Sequence, residues 1–215
     1  MASFYRCLYS CKLREDGEDK LWWVPSCKGT FEVKSFYRVL SDPGPLSFPW
    51  KSIWRTKAPP RVAFFAWTAA RCKILTLDNL RRRGMVVVNR CWLCESDGES
   101  VDHLLLHCGA VRALWNAFFT KFGVCWVMPG TVKELFASWW SGGHSRSVIV
   151  WKMVPLCIMW CIWRERNDRC FEDMSRSHEE LLHFFLFTLF TWTAGWLAPR
   201  VISFADFFSL FSSPP

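Results

Sequence analysis

The chain has 215 residues, 51% of them hydrophobic, and a formal net charge of +8. That apolar fraction excludes disorder along the whole chain, and the length fits one domain with or without a satellite lobe. The excess of Lys and Arg suits a polyanion partner, because such residues gain affinity by releasing counterions from phosphates, although many basic domains use the same charge to stay soluble.

Fifteen Trp and nineteen Phe point first to an aromatic-rich core, since each ring buries a large apolar area; platforms for base stacking are the alternative. The eleven cysteines are odd in number, and Met1 to Leu13, with Arg6 and Lys12, hold no apolar run long enough for export. The expectation is a reducing compartment, nucleus or cytoplasm, in which clustered cysteines serve a metal rather than a disulfide framework.

In chain order, residues 1–21 read as a tail. Lys20 to Pro25 and Thr30 to Val33 read as the arms of a short β-hairpin around the turn Ser26-Cys27-Lys28-Gly29. Ser35 to Leu40 reads as a short helix stopped by Asp42, Pro43, Gly44 and Pro45. Trp50, Ile53 and Trp54 recur at helical spacing. Pro59 and Pro60 suit a first turn, after which Val62, Phe65, Ala66, Ala69 and Cys72 share one face. Thr76 is the expected cap of a helix running through Arg83 and closed by Gly84.

Val111, Leu114, Trp115, Phe118, Phe119 and Phe122 form the cleanest amphipathic segment, ended by Gly123. Thr131-x-x-Glu134 has the form of a capping box, opening a helix that carries Leu135, Phe136, Trp139 and Trp140. Ser141-Gly142-Gly143-His144 is the best linker. A long apolar helix from about Ser147 to Phe171 follows, with Pro155 as its expected bend. Ser177-x-x-Glu180 caps a last segment, Leu181 to Ala198, that Gly195 and Pro199 close. That segment is nearly long enough for a membrane span, but His183, Thr188, Thr191 and Thr193 dilute it, so a buried helix is the favoured reading and membrane association the other.

The residues that carry chemistry are Cys91-x-x-Cys94, whose sulfurs can face one point from a tight bend, followed by His103 and Cys108. Two short ligand pairs joined by the polar loop Glu95-Ser96-Asp97-Gly98-Glu99 supply the tetrahedron of soft and borderline donors that zinc prefers. The fourth ligand stays open between Cys108, which gives the H-x4-C ending of a zinc knuckle, and His107, which lies one α-helical turn after His103. Cys157 and Cys161 read as core residues of an apolar helix. Arg71, Lys73, Arg81, Arg82, Arg83 and Arg90, with Lys51, Arg55, Lys57 and Arg61 before them, are candidates for a nucleic-acid-binding face. As a plain alternative, Arg81 to Arg83 are a solvated helix end whose charge suits the dipole. No phosphate-cradling, metalloprotease, nucleophile-elbow or paired-aspartate motif is present, so the chain is not expected to be an enzyme or to take a small-molecule substrate.

These residues resemble the zinc-binding domain that follows the polymerase region of plant LINE-type (non-LTR) retrotransposon reverse transcriptases. Gly29-Thr30-Phe31-Glu32-Val33-Lys34-Ser35-Phe36-Tyr37, Trp50-Lys51-Ser52-Ile53-Trp54 and Pro59-Pro60-Arg61-Val62-Ala63-Phe64-Phe65-Ala66-Trp67 are similar to its opening stretches, with Arg61 where the family has Lys. Leu75 to Leu80 and Arg82-Arg83-Gly84 follow, then the knuckle with Glu99-Ser100, His103-Leu104, Cys108 and Trp115. Trp163, Arg166, Asn167 and Phe171 are similar to the stretch after the domain. The resemblance covers roughly Trp22 to Phe171, more weakly through Trp192 and Phe204 to Phe207. It implies zinc held by Cys91, Cys94, His103 and Cys108, and RNA or DNA held beside a polymerase. No endonuclease, polymerase palm or ribonuclease H segment accompanies it, so the chain reads as a detached module. An inert or protein-interacting remnant of a retroelement is the competing reading. The expected fold is mainly α, a helical domain with a short N-terminal β-hairpin and a CCHC zinc knuckle. Residues 22–140 form the zinc-binding domain and 141–215 a helical extension.

Overall fold

A computed structural model describes residues 21–26, 28–40, 48–121, 123–139 and 146–197, and among them every regular element is helical. The chain divides into two units, Met1–Ser47 and Phe48–Pro215.

In the first unit the expected hairpin does not form among the described residues. The chain turns as expected, with the Trp23 amide donating to the Gly29 carbonyl at 2.8 Å and the Gly29 amide to the Ser26 carbonyl at 3.0 Å. Gly29 takes φ +67°, where any Cβ would run into the Trp22 ring. The second arm has no length to pair, because helix α1, Val33–Leu40, starts only three residues after Gly29-Thr30 begins to extend. Side chains replace the ladder: the Trp23 indole N–H donates to Ser35 Oγ, and Trp23, Phe31 and Phe36 form a three-ring cluster.

The second unit is built on α2 (Trp50–Trp54), α3 (Pro60–Ala70), α4 (Leu77–Arg82), a π-helical turn (His103–His107), α5 (Gly109–Lys121), α6 (Val132–Ser138), α7 (Arg146–Phe171) and α8 (His178–Leu197). Pro60 opens α3, where its missing N–H costs nothing. Both expected boxes form: Thr131 and Glu134 exchange bonds at the start of α6, and Ser177 and Glu180 at the start of α8. Gly123, at φ +62°, follows α5. The expected Thr76 cap is a correction: its side chain makes no cap bond. Its hydroxyl bonds Asp78 instead, and the free Leu77 amide is taken by the carboxylate of Glu99 from the knuckle loop at 3.1 Å. Phe122, Trp140, the linker 141–144 and the residues after 197 lie outside the described ones.

Helix α7 runs through Pro155 and is the axis of this unit, packing against α3, α8 and the π-turn. Val154, Cys157, Ile158, Cys161 and Ile162 are all fully or almost fully buried, so the helix is apolar around most of its circumference. One continuous core runs from Ile53 to Leu189 and includes Cys91, Leu93, Leu104, Leu105 and Leu106, so the knuckle is part of it. Most of the described rings serve that core: Trp139 and Trp151 stack at 4.6 Å, and Trp115 and Phe118 are buried beside them. Helix α8 turns Leu181, Phe185, Leu189 and Thr193 inward along α7 and α5. No helix among the described residues is long and apolar enough to cross a membrane.

Candidate metal centre

The Cys91-Trp92-Leu93-Cys94 turn is closed by backbone geometry before any metal is considered. The Glu95 amide donates to the Cys91 carbonyl at 2.9 Å, the Cys91 amide to the Asp97 carbonyl at 2.8 Å, and the Leu93 amide to Cys91 Sγ at 3.5 Å. Glu95 sits at φ +53°, and the Arg90 guanidinium pins that corner by donating to the Glu95 carbonyl at 2.6 Å. Both sulfurs are thereby aimed to one side of the loop.

The facing pair comes from the π-turn. The Cys108 amide donates to the His103 carbonyl at 2.6 Å, a bond spanning five residues. Such a wide turn brings residues five apart together, where an α-turn would align residues four apart. Cys108 therefore comes round to the side of His103, and His107 points elsewhere. The His107 Nε2–H donates to the Gly130 carbonyl at 2.9 Å, on the exposed side.

The result is a tight quartet: Cys91, Cys94, His103 and Cys108 place one sulfur or ring nitrogen each, all within 4.8 Å of one another. Cys91 Sγ lies 4.0 Å from Cys108 Sγ, and Cys94 Sγ lies 3.4 Å from His103 Nε2. Tetrahedral zinc with its usual bond lengths requires about 3.8 Å between sulfurs and about 3.5 Å between sulfur and nitrogen. The residues fit the ion in donor type, number and spacing. Cys91 and Cys108 are buried, which favours a metal-held thiolate over a solvated one. With the metal left aside, the two share a proton: donation to Cys108 and then burial raise the Cys91 pKa, and the same bond lowers that of Cys108 against its burial.

The cluster is braced by charges that the sequence did not mark as functional. Glu99 is fully buried and takes a two-pronged contact from Arg166 of α7, with Nη2 at 2.9 Å and Nε at 3.2 Å. The Arg166 guanidinium also lies 5.4 Å over the Trp163 ring. A second buried carboxylate, Glu165, accepts from Arg169 at 2.7 Å and from Arg176 at 2.8 Å, while Arg169 Nη1 reaches the Leu93 carbonyl inside the Cys-x-x-Cys turn at 3.3 Å. Asp102, just before His103, accepts the Val132 amide and so ties the π-turn to α6. The available signal was a pair of adjacent charges, Glu165 and Arg166, at the end of an apolar helix run, because charges are rarely buried unless paired.

Of the candidate nucleic-acid residues, Arg71, Lys73, Arg81, Arg82, Arg83 and Arg90 are all exposed. Arg82 is paired with Asp78 at 3.4 Å and Arg90 with Glu95 at 3.2 Å. Arg71 lies instead on ring faces, 4.9 Å from Phe48 and 4.9 Å from Trp67. Cys157 and Cys161 are fully buried in α7, as their apolar setting led one to expect.

Residues 31–115 match a family model described as zinc-binding in reverse transcriptase. Among curated proteins, the chain is 25% identical over 177 residues to the "Putative ribonuclease H protein" of Arabidopsis thaliana, an alignment covering 76% of this chain and 27% of that protein. The chain thus spans about a quarter of the relative's length. No solved structure matches it. The family match and the Cys3His quartet together support a zinc-binding module of the reverse-transcriptase type.

Proposed function

We propose that this chain is a non-catalytic zinc-binding module derived from a plant LINE-type retrotransposon reverse transcriptase, and that it binds RNA or DNA. The observation that carries the reading is the quartet Cys91, Cys94, His103 and Cys108, closed within 4.8 Å inside the stretch matched by the family model. Four protein donors leave no coordination position for water, and a catalytic zinc needs one. The ion's work is structural: it clamps the Cys-x-x-Cys turn to the π-turn against α7. The ribonuclease H chemistry in the relative's name is not carried over, because the aligned region is 27% of that protein. The exposed Arg71 and Lys73 supply cations for phosphates.

Elemental analysis of the purified protein is the direct test. One zinc per chain is expected, lost in Cys108→Ser and kept in His107→Ala. A parent protein without zinc overturns the metal reading. Titration of labelled RNA and DNA at several salt concentrations tests the second half, and an undetectable or salt-insensitive affinity would sink it.

A protein-interacting role is the second reading. It is favoured by an open, largely apolar groove of about 980 Å3 beside the knuckle, lined by Met85, Val88, Trp92 and Phe171, all of them exposed.

A further inference from the structure

Helices α2 and α3 turn one face each into the core and leave an unusual face outside. Ile53 on α2, and Val62, Phe65, Ala66 and Ala69 on α3, are buried. Outside are Trp50 and Trp54 on α2, Arg61 and Phe64 on α3, and Arg71 just after its end, with Trp67 half-buried among them. Phe64 is 55% exposed.

These groups are joined to one another. The Arg71 guanidinium lies 4.9 Å from the Phe48 ring and 4.9 Å from the Trp67 ring, and Trp67 lies 5.6 Å from Phe64. Arg71 therefore links the end of α3 to the residues that open α2. At that opening, Arg55 and Lys51 lie 5.2 and 5.7 Å over the Trp50 ring. Ring faces hold these cations in place and leave their N–H edges outward.

The charge on this stretch is one-sided. Residues 48–77 contain Lys51, Arg55, Lys57, Arg61, Arg71 and Lys73 and no Asp or Glu. Among the described residues none of Lys51, Arg55, Arg61 and Arg71 is held in an ion pair, whereas Arg82 and Arg90 of the other basic run are neutralised by Asp78 and Glu95. Exposed rings interleaved with unneutralised cations match one chemistry: a polyanion whose bases are free to stack. In a duplex the bases are already stacked on one another, so their faces are unavailable.

We propose that the outer face of α2 and α3 is a stacking platform for single-stranded nucleic acid. Bases lie on Phe64 and Trp50, and phosphates meet Arg71, Arg61, Arg55 and Lys51. The proposal rests on the reading that the chain binds nucleic acid, and it locates that binding away from Arg81 to Arg83.

The test uses the full chain loaded with zinc and fluorescence anisotropy on labelled U20 RNA, dT20 DNA and a mixed-sequence 20-base-pair DNA duplex. The parent is expected to bind both single strands more tightly than the duplex. Phe64→Ala and Trp50→Ala are each expected to weaken single-strand binding by about tenfold, the size of one lost base–aromatic stack. Arg71→Ala is expected to lower the salt slope by about one phosphate's share. Phe64→Leu keeps apolar volume without a ring and is expected to behave like Phe64→Ala, which separates stacking from folding; zinc content and circular dichroism of each variant complete that check. The triple variant Arg81→Ala, Arg82→Ala, Arg83→Ala is expected to bind as the parent does. If the triple variant loses binding and the ring variants keep it, the platform is overturned while nucleic-acid binding stands. Preference for the duplex overturns it in the same way. No binding to any probe removes the functional reading and the platform together.

Discussion

Glu99 and Arg166 meet where neither can reach water, with side-chain exposures of 0% and 3%. The guanidinium gives two N–H groups to the carboxylate, which also takes the Leu77 amide, so both charges are well satisfied. Removing one partner strands the other. Arg166→Ala is expected to destabilise the fold by about 3–5 kcal/mol, as deletion of one member of a buried pair generally does. Glu99→Gln is expected to cost less, since the amide oxygen can still accept from Leu77 or Arg166. The double variant Glu99→Gln, Arg166→Ala is expected to be more stable than Arg166→Ala alone. Urea unfolding of the four proteins checks this, and a double variant worse than the sum of its parts would refute the pairing. Single residues were legible in the sequence where their chemistry was local. Cys91, Cys94, His103 and Cys108 stand out because ligand spacing is a short-range property. The Glu99–Arg166 contact joins residues 67 positions apart, and no local pattern encodes that distance.

At the scale of elements, caps that use neighbouring residues were readable and those that use distant ones were not. Thr131-x-x-Glu134 and Ser177-x-x-Glu180 close as boxes, whereas α4 borrows Glu99 from the knuckle loop. The π-turn is the other departure, because the α-helical period that aligned His103 with His107 does not apply to a turn closed from Cys108 to His103. The hairpin fails for lack of length before α1, a matter of where a helix nucleates. Thr131→Ala removes the hydroxyl that accepts the Glu134 amide and is expected to cost about 1 kcal/mol, seen as a lower urea midpoint at unchanged slope and unchanged zinc content. The α8 box has a pH signature. Bonds from the Ser177 backbone and side chain lower the Glu180 pKa, so the unfolded chain takes up this proton at a higher pH than the folded one. Its contribution is present above the usual carboxylate value and is lost as pH falls through the depressed one. The difference in melting temperature between the parent and Glu180→Gln is therefore expected to shrink between pH 7 and pH 3.5. A difference that stays constant over that range would show that the carboxylate charge plays no part.

The second unit as a whole has one core, and the knuckle's own residues, Cys91, Leu93, Leu104 to Leu106 and Cys108, belong to it. The Cys3His quartet is thus joined to α7 by packing as well as by the Glu99–Arg166 pair and the Arg169–Leu93 contact. Metal loss cannot then be confined to a peripheral loop, because loosening the π-turn exposes the leucines that line the centre. Binding that favours the folded state adds RT ln(1 + [L]/Kd), about 4 kcal/mol when free zinc exceeds the dissociation constant a thousandfold. For a unit of this size each kcal/mol moves the midpoint by about 2–4 °C. Chelation is therefore expected to lower the melting temperature by about 8–16 °C, with tryptophan fluorescence and far-ultraviolet circular dichroism falling together in one transition. An early fluorescence change with intact helicity would mean that the knuckle unfolds by itself, and an unchanged midpoint would mean that the metal holds nothing in place.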